Sequence, residues 1–472
     1  MDTIRMQPPT PPLLFARLDA RMDRGRRFGI RPADLLRHVY LIGKTGGGKS
    51  SLLERLMVEE IRGGRGLALL DPHGDLAERV LDFVPRSRQH EVILIEPWDM
   101  ARPVGLNLLE HAAIADRTLV ASGVLAIFRK VFSEFWGPRL EHVFRNSLLA
   151  LLEVPGTTLL GVLRLLVDER FRTGVVERLE DPLVAFFWRR EFPTFPAAFR
   201  AEILAPVQNK VAAALTSPVL RLILGQRQST IDLRAVMDGG QILIANLAKG
   251  RIGEDASALL GAMLVTKFQL AAYSRADVTP EARRPFTLYI DEFASFVTAS
   301  FAELLAEARK YGLALVVAHQ YLAQLDEALR AAVLGNAGTL IAFRLGADDA
   351  REFGQEFAPE FTPTDLTRLA RHQIALRLAV DGLQSVPFTA ETLPPFDDAQ
   401  LVGHAAVIRR ISAERYGTPR AAVERDVARQ LGAAPAQGVH SHSRTDRATR
   451  DTNDNKTGPR EEEPGQSSRL PL

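Results

Sequence analysis

Seven short apolar runs constrain this chain more than any other feature: HVYLIG at 38–43, RGLALLD at 65–71, EVILIEP at 91–97, QILIANL at 241–247, FTLYIDE at 286–292, LALVVAHQ at 313–320 and AGTLIAFRLG at 337–346. Each is nearly continuous in apolar residues rather than alternating, and each leads into a turn or helix signal. Strands of that kind must be covered on both faces, which predicts an α/β fold with a mostly parallel sheet. With 46% hydrophobic residues over 472 positions, there is enough apolar surface for a large core and for two or three structural units.

The first run ends in GKTGGGKSS. Gly43, Lys44, Thr45, Gly46, Gly47, Gly48, Lys49 and Ser50 match G-x-x-x-x-G-K-[ST], and Ser51 follows on the first turn of a predicted helix. Glycines at these positions let backbone N–H groups close around phosphate oxygens, and the following helix adds its positive end. Lys49 is placed to reach the β- and γ-phosphates of ATP and Ser50 to hold Mg2+. The alternative, a Gly-rich strand-to-helix turn without a ligand, fits the motif's context poorly.

The second piece is FTLYIDEF, an apolar strand ending in two acids. Asp291 is placed to hold magnesium and Glu292 to polarise the attacking water. Adjacent acids at a strand end also serve as helix caps, and only their pairing with the loop favours the catalytic reading. LALVVAHQ is a third buried strand, and Gln320 at its end is the expected γ-phosphate sensor, in preference to His319. Lys49 and Asp291 lie about 240 residues apart, far beyond the ~30 of one βαβ unit. A long insertion is therefore required, which excludes small GTPases and simple nucleotide kinases.

That insertion is expected at 115–230. In RLEHVFRNSLLALLEV the residues Leu140, Val143, Phe144, Leu148 and Leu151 recur at helical spacing. The expected organisation is a Pro/Arg-rich arm over 1–30, the first half of an α/β ATPase core over 31–114, the helical insertion, and the second half of the core over 231–395. C-terminal helices follow at 396–431, then a disordered tail at 432–472 with few large apolar residues. The arm is expected to be an extended lead-in. Asp381-Gly382 marks a hairpin turn, and Thr418-Pro419 the cap and first turn of a helix to about Leu431. The 71–75 turn, DPHGD, ends the second strand on the loop's edge of a parallel sheet, where ligands collect. A functional role and a turn with Asp75 as helix cap are equally open. Lys249-Gly250 and Gly253-Glu254 follow QILIANL in the same way and are expected near a subunit interface or DNA path. Trp136 and Trp188 read as core residues.

Composition narrows the chemistry. There are no cysteines, so disulfides, thiolate metal sites and cysteine nucleophiles are excluded. Lysine and arginine number 59 against 57 acids, a net +2 that neither favours nor excludes nucleic acid. No window is expected to supply the ~18–20 apolar residues of a membrane span, since Glu153 and Pro155 interrupt one of the best candidates and Lys267 another. The expected location is the cytoplasm.

Together, HVYLIGKTGGGKSSLL, LALLDPHGDLAERVL, YIDEFASF and FAELLAEARKYGLALVVAHQ resemble the HerA/FtsK superfamily of ATP-driven DNA pumps, in the branch of type IV secretion coupling proteins. The likeness runs from Phe28 to Pro395. It implies a RecA-like motor with an all-helical insertion, using ATP and Mg2+ and working as a homohexameric ring around DNA. Such rings complete each ATP site with an arginine from the neighbouring subunit. Arg344 in IAFRLG is the first candidate and Arg309 in EARKYG the second; each is equally readable as a surface arginine. The family usually carries N-terminal membrane helices, whereas this sequence shows the Pro/Arg arm there. Direct membrane insertion is therefore not expected, and a peripheral position at the inner membrane through a partner is. A relaxase, a nuclease or a membrane secretion component are the partners implied.

Two other readings compete with a conjugative DNA translocase: a HerA-like DNA-processing or defence ATPase, and a secretion ATPase acting on protein. A nucleotide switch without a motor is a third, in which Glu292 is merely a cap. ABC transport ATPases fit less well, because ILGQRQS at 223–229 is a poor imitation of their signature.

Overall fold

A computed structural model describes residues 11–19, 23–110, 116–133, 136–298 and 300–432. The expected tail at 432–472 lies outside them except for Gly432, as do residues 1–10 of the arm.

The strands are β1 (Leu13–Leu18), β2 (Arg27–Ile30), β3 (Val39–Ile42), β4 (Gly66–Asp71), β5 (Val92–Ile95), β6 (Ile242–Asn246), β7 (Phe286–Ile290), β8 (Leu313–His319), β9 (Thr339–Ala342), β10 (Gln373–Arg377), β11 (Ala379–Val380), β12 (Leu383–Gln384) and β13 (Phe388–Thr392). Eleven form one sheet in the order β2-β1-β13-β10-β9-β3-β8-β7-β4-β6-β5. From β9 to β5 all neighbours run parallel, and these seven strands are the seven apolar runs. In β3, Tyr40 and Ile42 join the apolar cluster on one face and Val39 and Leu41 that on the other. Burial on both faces is why the runs are continuous rather than alternating.

Between β5 and β6 the chain is helical, from the helix Arg117–Val131 to the helix Leu233–Gly239. Leu140, Val143, Phe144, Leu148 and Leu151 are all buried on the helix Pro138–Leu152. Their cluster is continuous with that on the Tyr40 face of the sheet, so insertion and sheet share one core. Trp188 is buried and its indole N–H donates to Asn146 O at 3.1 Å, whereas Trp136 is only half-buried.

Four expectations are corrected. Leu13–Leu18 and Arg27–Ile30 are no lead-in arm: β1 pairs with β2 and with β13, and Leu13, Phe15, Ala16 and Ile30 are buried. Its pairing partner β13 lies more than 300 residues downstream, which local composition cannot register. Thr418 does not cap the last helix, Arg420–Gln430; its hydroxyl donates to Gln226 Oε1 at 2.8 Å, tying that helix to the insertion. The helix Asp75–Asp82 is served not by Asp75 but by Asp71, which accepts from Ala77 N at 2.9 Å. Finally, Lys267 does not interrupt the helix Glu254–Tyr273, which with the turn to Asp277 is long and apolar enough to cross a membrane, although 78% of its apolar window is buried in the fold. Lys267 donates to Asn107 O at 2.8 Å and Ser229 Oγ at 2.9 Å instead of meeting solvent.

The hairpin at Asp381-Gly382 is present. Both residues have positive φ, 49° and 85°, as a primed turn requires, between the two-residue strands β11 and β12.

Candidate nucleotide site

Parallel order places the C-terminal ends of β3, β8, β7 and β4 side by side, where ligands collect in open α/β sheets. The loop 43–48 leaves β3 there and enters the helix Lys49–Arg62. The loop is held on the side of β9: Lys44 N donates to Arg344 O at 3.1 Å, and Phe343 lies so close that a Cβ at Gly43 would come within 2.6 Å of it. Gly48 has φ 120° and would bring a Cβ to 3.1 Å from both Phe343 and His372. Any side chain here would fill or distort the cradle.

Lys49 is buried and folds its ammonium back onto Gly43 O and Lys44 O. Burial lowers its pKa, with Asp291 and Glu292 opposing. Ser50 Oγ stands 3.4 Å from Asp291 Oδ2, and Ser51 continues the helix's first turn. Burial, then the neighbouring Asp71 carboxylate, push Asp291 up to about 6, with His73 and Lys49 opposing. Two buried carboxylates and a hydroxyl at one strand edge make a favourable place for a divalent cation. Among the described residues no group of three His, Asp or Glu side chains could hold a metal, so a cation here would draw further ligands from phosphate and water, the usual habit of magnesium.

Glu292 follows Asp291 with φ 49°, the left-handed region, and its side chain caps nothing. Its Oε1 accepts from Gln324 Nε2 at 3.0 Å. Glu292 is thus a buried acid in a left-handed conformation whose side chain is not used as a cap. Gln320 meets the loop directly, its Oε1 accepting from Thr45 Oγ1 at 3.0 Å. His319 is fully buried between Tyr40 and Phe293, and burial lowers it to about 3, with Lys49 adding to the effect. It stays neutral and acts in packing.

The structure thus brings together Gly43 to Ser51, Asp291, Glu292 and Gln320. Arg344 is exposed beside the loop. Arg309 is also exposed, but it precedes β8 and lies at the opposite edge of the sheet, near His38. Sequence reasoning missed Gln324, Asp71 as the buried neighbour of Asp291, and the Phe343 and His372 walls of the loop. Only Asp71, a carboxylate ending an apolar run as Asp291 does, left a legible signal. The loop that follows β6 lies against the 71–75 turn, with Lys249 N donating to Pro72 O at 2.9 Å.

Fold and site define a P-loop NTPase of the kind in which one strand, β8, separates the loop strand from the acid strand. Residues 285–367 match a family model described as the TraM recognition site of TraD and TraG. Among solved structures, the chain is similar to the unbound bacterial conjugative coupling protein TrwB lacking 70 N-terminal residues, at 17% identity and TM-score 0.58, over 83% of this chain and 95% of that one. TrwB in complex with ADP and Mg2+ matches at 17% identity, TM-score 0.56 and the same coverage. VirB4 of Thermoanaerobacter pseudethanolicus matches at 13% identity and TM-score 0.56, over 82% of this chain and 98% of that one. The fold is accordingly coupling-protein-like, as the sequence resemblance implied. No curated protein sequence matches the chain.

Proposed function

We propose that this chain is an ATP-hydrolysing motor that drives DNA transfer in conjugation. The observation that carries it is the convergence of Lys49, Ser50, Asp291, Glu292 and Gln320 around one loop, on a coupling-protein-like fold. Bound magnesium would supply charge neutralisation between the phosphates, and Ser50 and Asp291 are the residues to hold it. The loop N–H groups and Lys49 bind and orient the ATP phosphates. Glu292 accepts the proton of the attacking water as its oxygen bonds to the γ-phosphorus and the bond to the ADP oxygen breaks. Gln320, joined to the loop through Thr45, is the residue to report loss of the γ-phosphate.

The motor acts as a homohexameric ring, with Arg344 or Arg309 completing the neighbour's site. It works in the cytoplasm, held at the inner membrane through a secretion partner and supplied by a relaxase. The 71–75 turn and Lys249 to Glu254 face the subunit interface or the DNA path. The likeness of 285–367 to a TraM recognition site supports a relaxosome protein as a docking partner.

ATP hydrolysis measured with and without duplex or single-stranded DNA, beside Lys49→Ala, tests this. DNA should stimulate hydrolysis and bind with a steep salt dependence and little sequence preference, and Lys49→Ala should abolish turnover. Absence of both DNA binding and stimulation at low salt would reject DNA as cargo. The likeness to VirB4 is comparable, and the second reading is a secretion ATPase acting on protein. Stimulation by protein substrate and not by DNA would select it.

A further inference from the structure

Lys130 belongs to none of the motifs above. It is the penultimate residue of the first insertion helix, Arg117–Val131, and its side chain leaves the insertion for the turn that follows the two acids. Its Nζ donates to Ala294 O at 2.7 Å and to Val297 O at 2.6 Å. Those carbonyls lie on and just beyond the one-turn 3-10 helix Phe293–Ser295. That turn is anchored on Glu292, whose carbonyl accepts from Ser295 N at 2.9 Å, while Phe293 O accepts from Val297 N at 3.1 Å. An ammonium on the carbonyl end of a short helix stabilises it.

The surroundings make the bond pair a junction. Gln324 holds Glu292 from the other side, and Asp326, which caps the helix Glu327–Asn336, favours the charge on Lys130. Burial pushes the Lys130 ammonium down to about 8 in spite of Asp326. The helix carrying Lys130 is itself seated on the helix Glu254–Tyr273: a Cβ at Gly123 would come within 2.7 Å of Thr266 Cγ2. On that second helix a Cβ at Gly261 would come within 2.1 Å of the Phe296 ring, so the helix also presses on the same turn. The insertion therefore meets the acid segment directly through Lys130, and the helix on which the insertion is seated packs closely on the same turn.

We propose that Lys130 is a positioning residue for Glu292: it holds the 293–297 turn, and through it the left-handed backbone of the acid, so that displacement of the helical insertion alters hydrolysis. The catalytic consequence rests on the ATPase reading above. Sliding the first insertion helix breaks both ammonium bonds, releases the turn and lets the carboxylate leave its place. Misplacement of a reacting group by about 1 Å costs on the order of 100-fold in rate.

The test uses the full chain with Lys130→Met and Lys130→Arg. Hydrogen exchange should rise in Lys130→Met for amides of 293–298 and stay unchanged in the helix Lys49–Arg62. Its kcat should fall at least about tenfold with KM for ATP within about twofold, its Tm should stay near that of the wild type, and Lys130→Arg should recover most of the loss. Unchanged exchange in the turn overturns the proposal, as does unchanged kcat in a folded Lys130→Met chain. A variant that melts early and loses protection throughout makes Lys130 a general packing element, and also rejects the role. If the wild type binds ATP without hydrolysing it, the ATPase reading fails, and the exchange difference still decides whether Lys130 holds the turn.

Discussion

Glu292 carries the clearest decision at the residue scale. An acid at a strand end is equally a cap or a base, and the two roles predict different contacts. Here the carboxylate accepts from Gln324 and not from any N–H of the turn it begins, while its backbone sits at φ 49°. A left-handed non-glycine residue costs of order 1 kcal/mol, which the surrounding packing must sustain. Glu292→Gln should lower kcat by at least about 100-fold, as expected for loss of a general base, while ATP still binds; single-turnover hydrolysis beside a fluorescent-nucleotide titration checks both halves. Near-intact turnover would mean that Glu292 is not the base and that the chain acts as a switch. Gln320→Ala should leave ATP affinity within about threefold and reduce kcat about 10- to 100-fold, because the Thr45 contact joins strand end and loop without itself binding phosphate. Stopped-flow nucleotide binding separates these effects.

At the scale of elements, the loop helix Lys49–Arg62 is tied to the acid strand by one buried carboxylate. Glu60 accepts from Tyr289 Oη at 2.8 Å and from Thr287 Oγ1 at 3.1 Å, with Arg65 3.5 Å away. Burial pushes Glu60 up to about 7, against the pull of Tyr289, Arg65 and Thr287. The folded chain therefore keeps a proton that the unfolded chain loses at its ordinary value of 4.5. This contribution to stability is full below about pH 4.5 and is lost as pH rises towards 7. Glu60→Gln should stabilise the chain by about 1–3 kcal/mol at pH 8 and have little effect at pH 4. Urea unfolding at the two pH values measures the difference, and an equal effect at both would refute the buried titration. The apolar runs made the strands of this element pair legible, since each is long enough and continuous enough to be a strand buried on both faces. The polar tie between them was not, because Glu60 reads as one more charge on an amphipathic helix until β7 is laid against it.

At the scale of the molecule, a ring requires a residue to act across an interface. Arg344 beside its own loop and Arg309 at the far edge of the sheet are both exposed, so neither is consumed by its own fold. If either acts in trans, Arg→Ala at that position should abolish turnover with ATP affinity unchanged. Mixing that variant with Lys49→Ala subunits should restore part of the activity, because mixed interfaces pair an intact loop with an intact arginine. Failure of both mixtures to recover any activity would exclude these two arginines as trans residues. Gel filtration with and without ATP and DNA gives the oligomeric state independently.

The sequence by itself determined the seven parallel strands, the glycine-rich loop, the acid pair and the helical character of the insertion. Those features are written in local periodicity and in residue types that only one backbone geometry tolerates. Tertiary structure decided the rest. It alone turned LLFARL and RFGI into strands of the sheet, because β1 pairs with β13 more than 300 residues away and β2 pairs in turn with β1 at the edge. It placed Asp71 against Asp291, showed Glu292 held by Gln324, and brought Lys130 from the insertion onto the turn behind the acid. Each of these is a contact between residues distant along the chain, and its energy depends on a register and a crossing that no local pattern encodes.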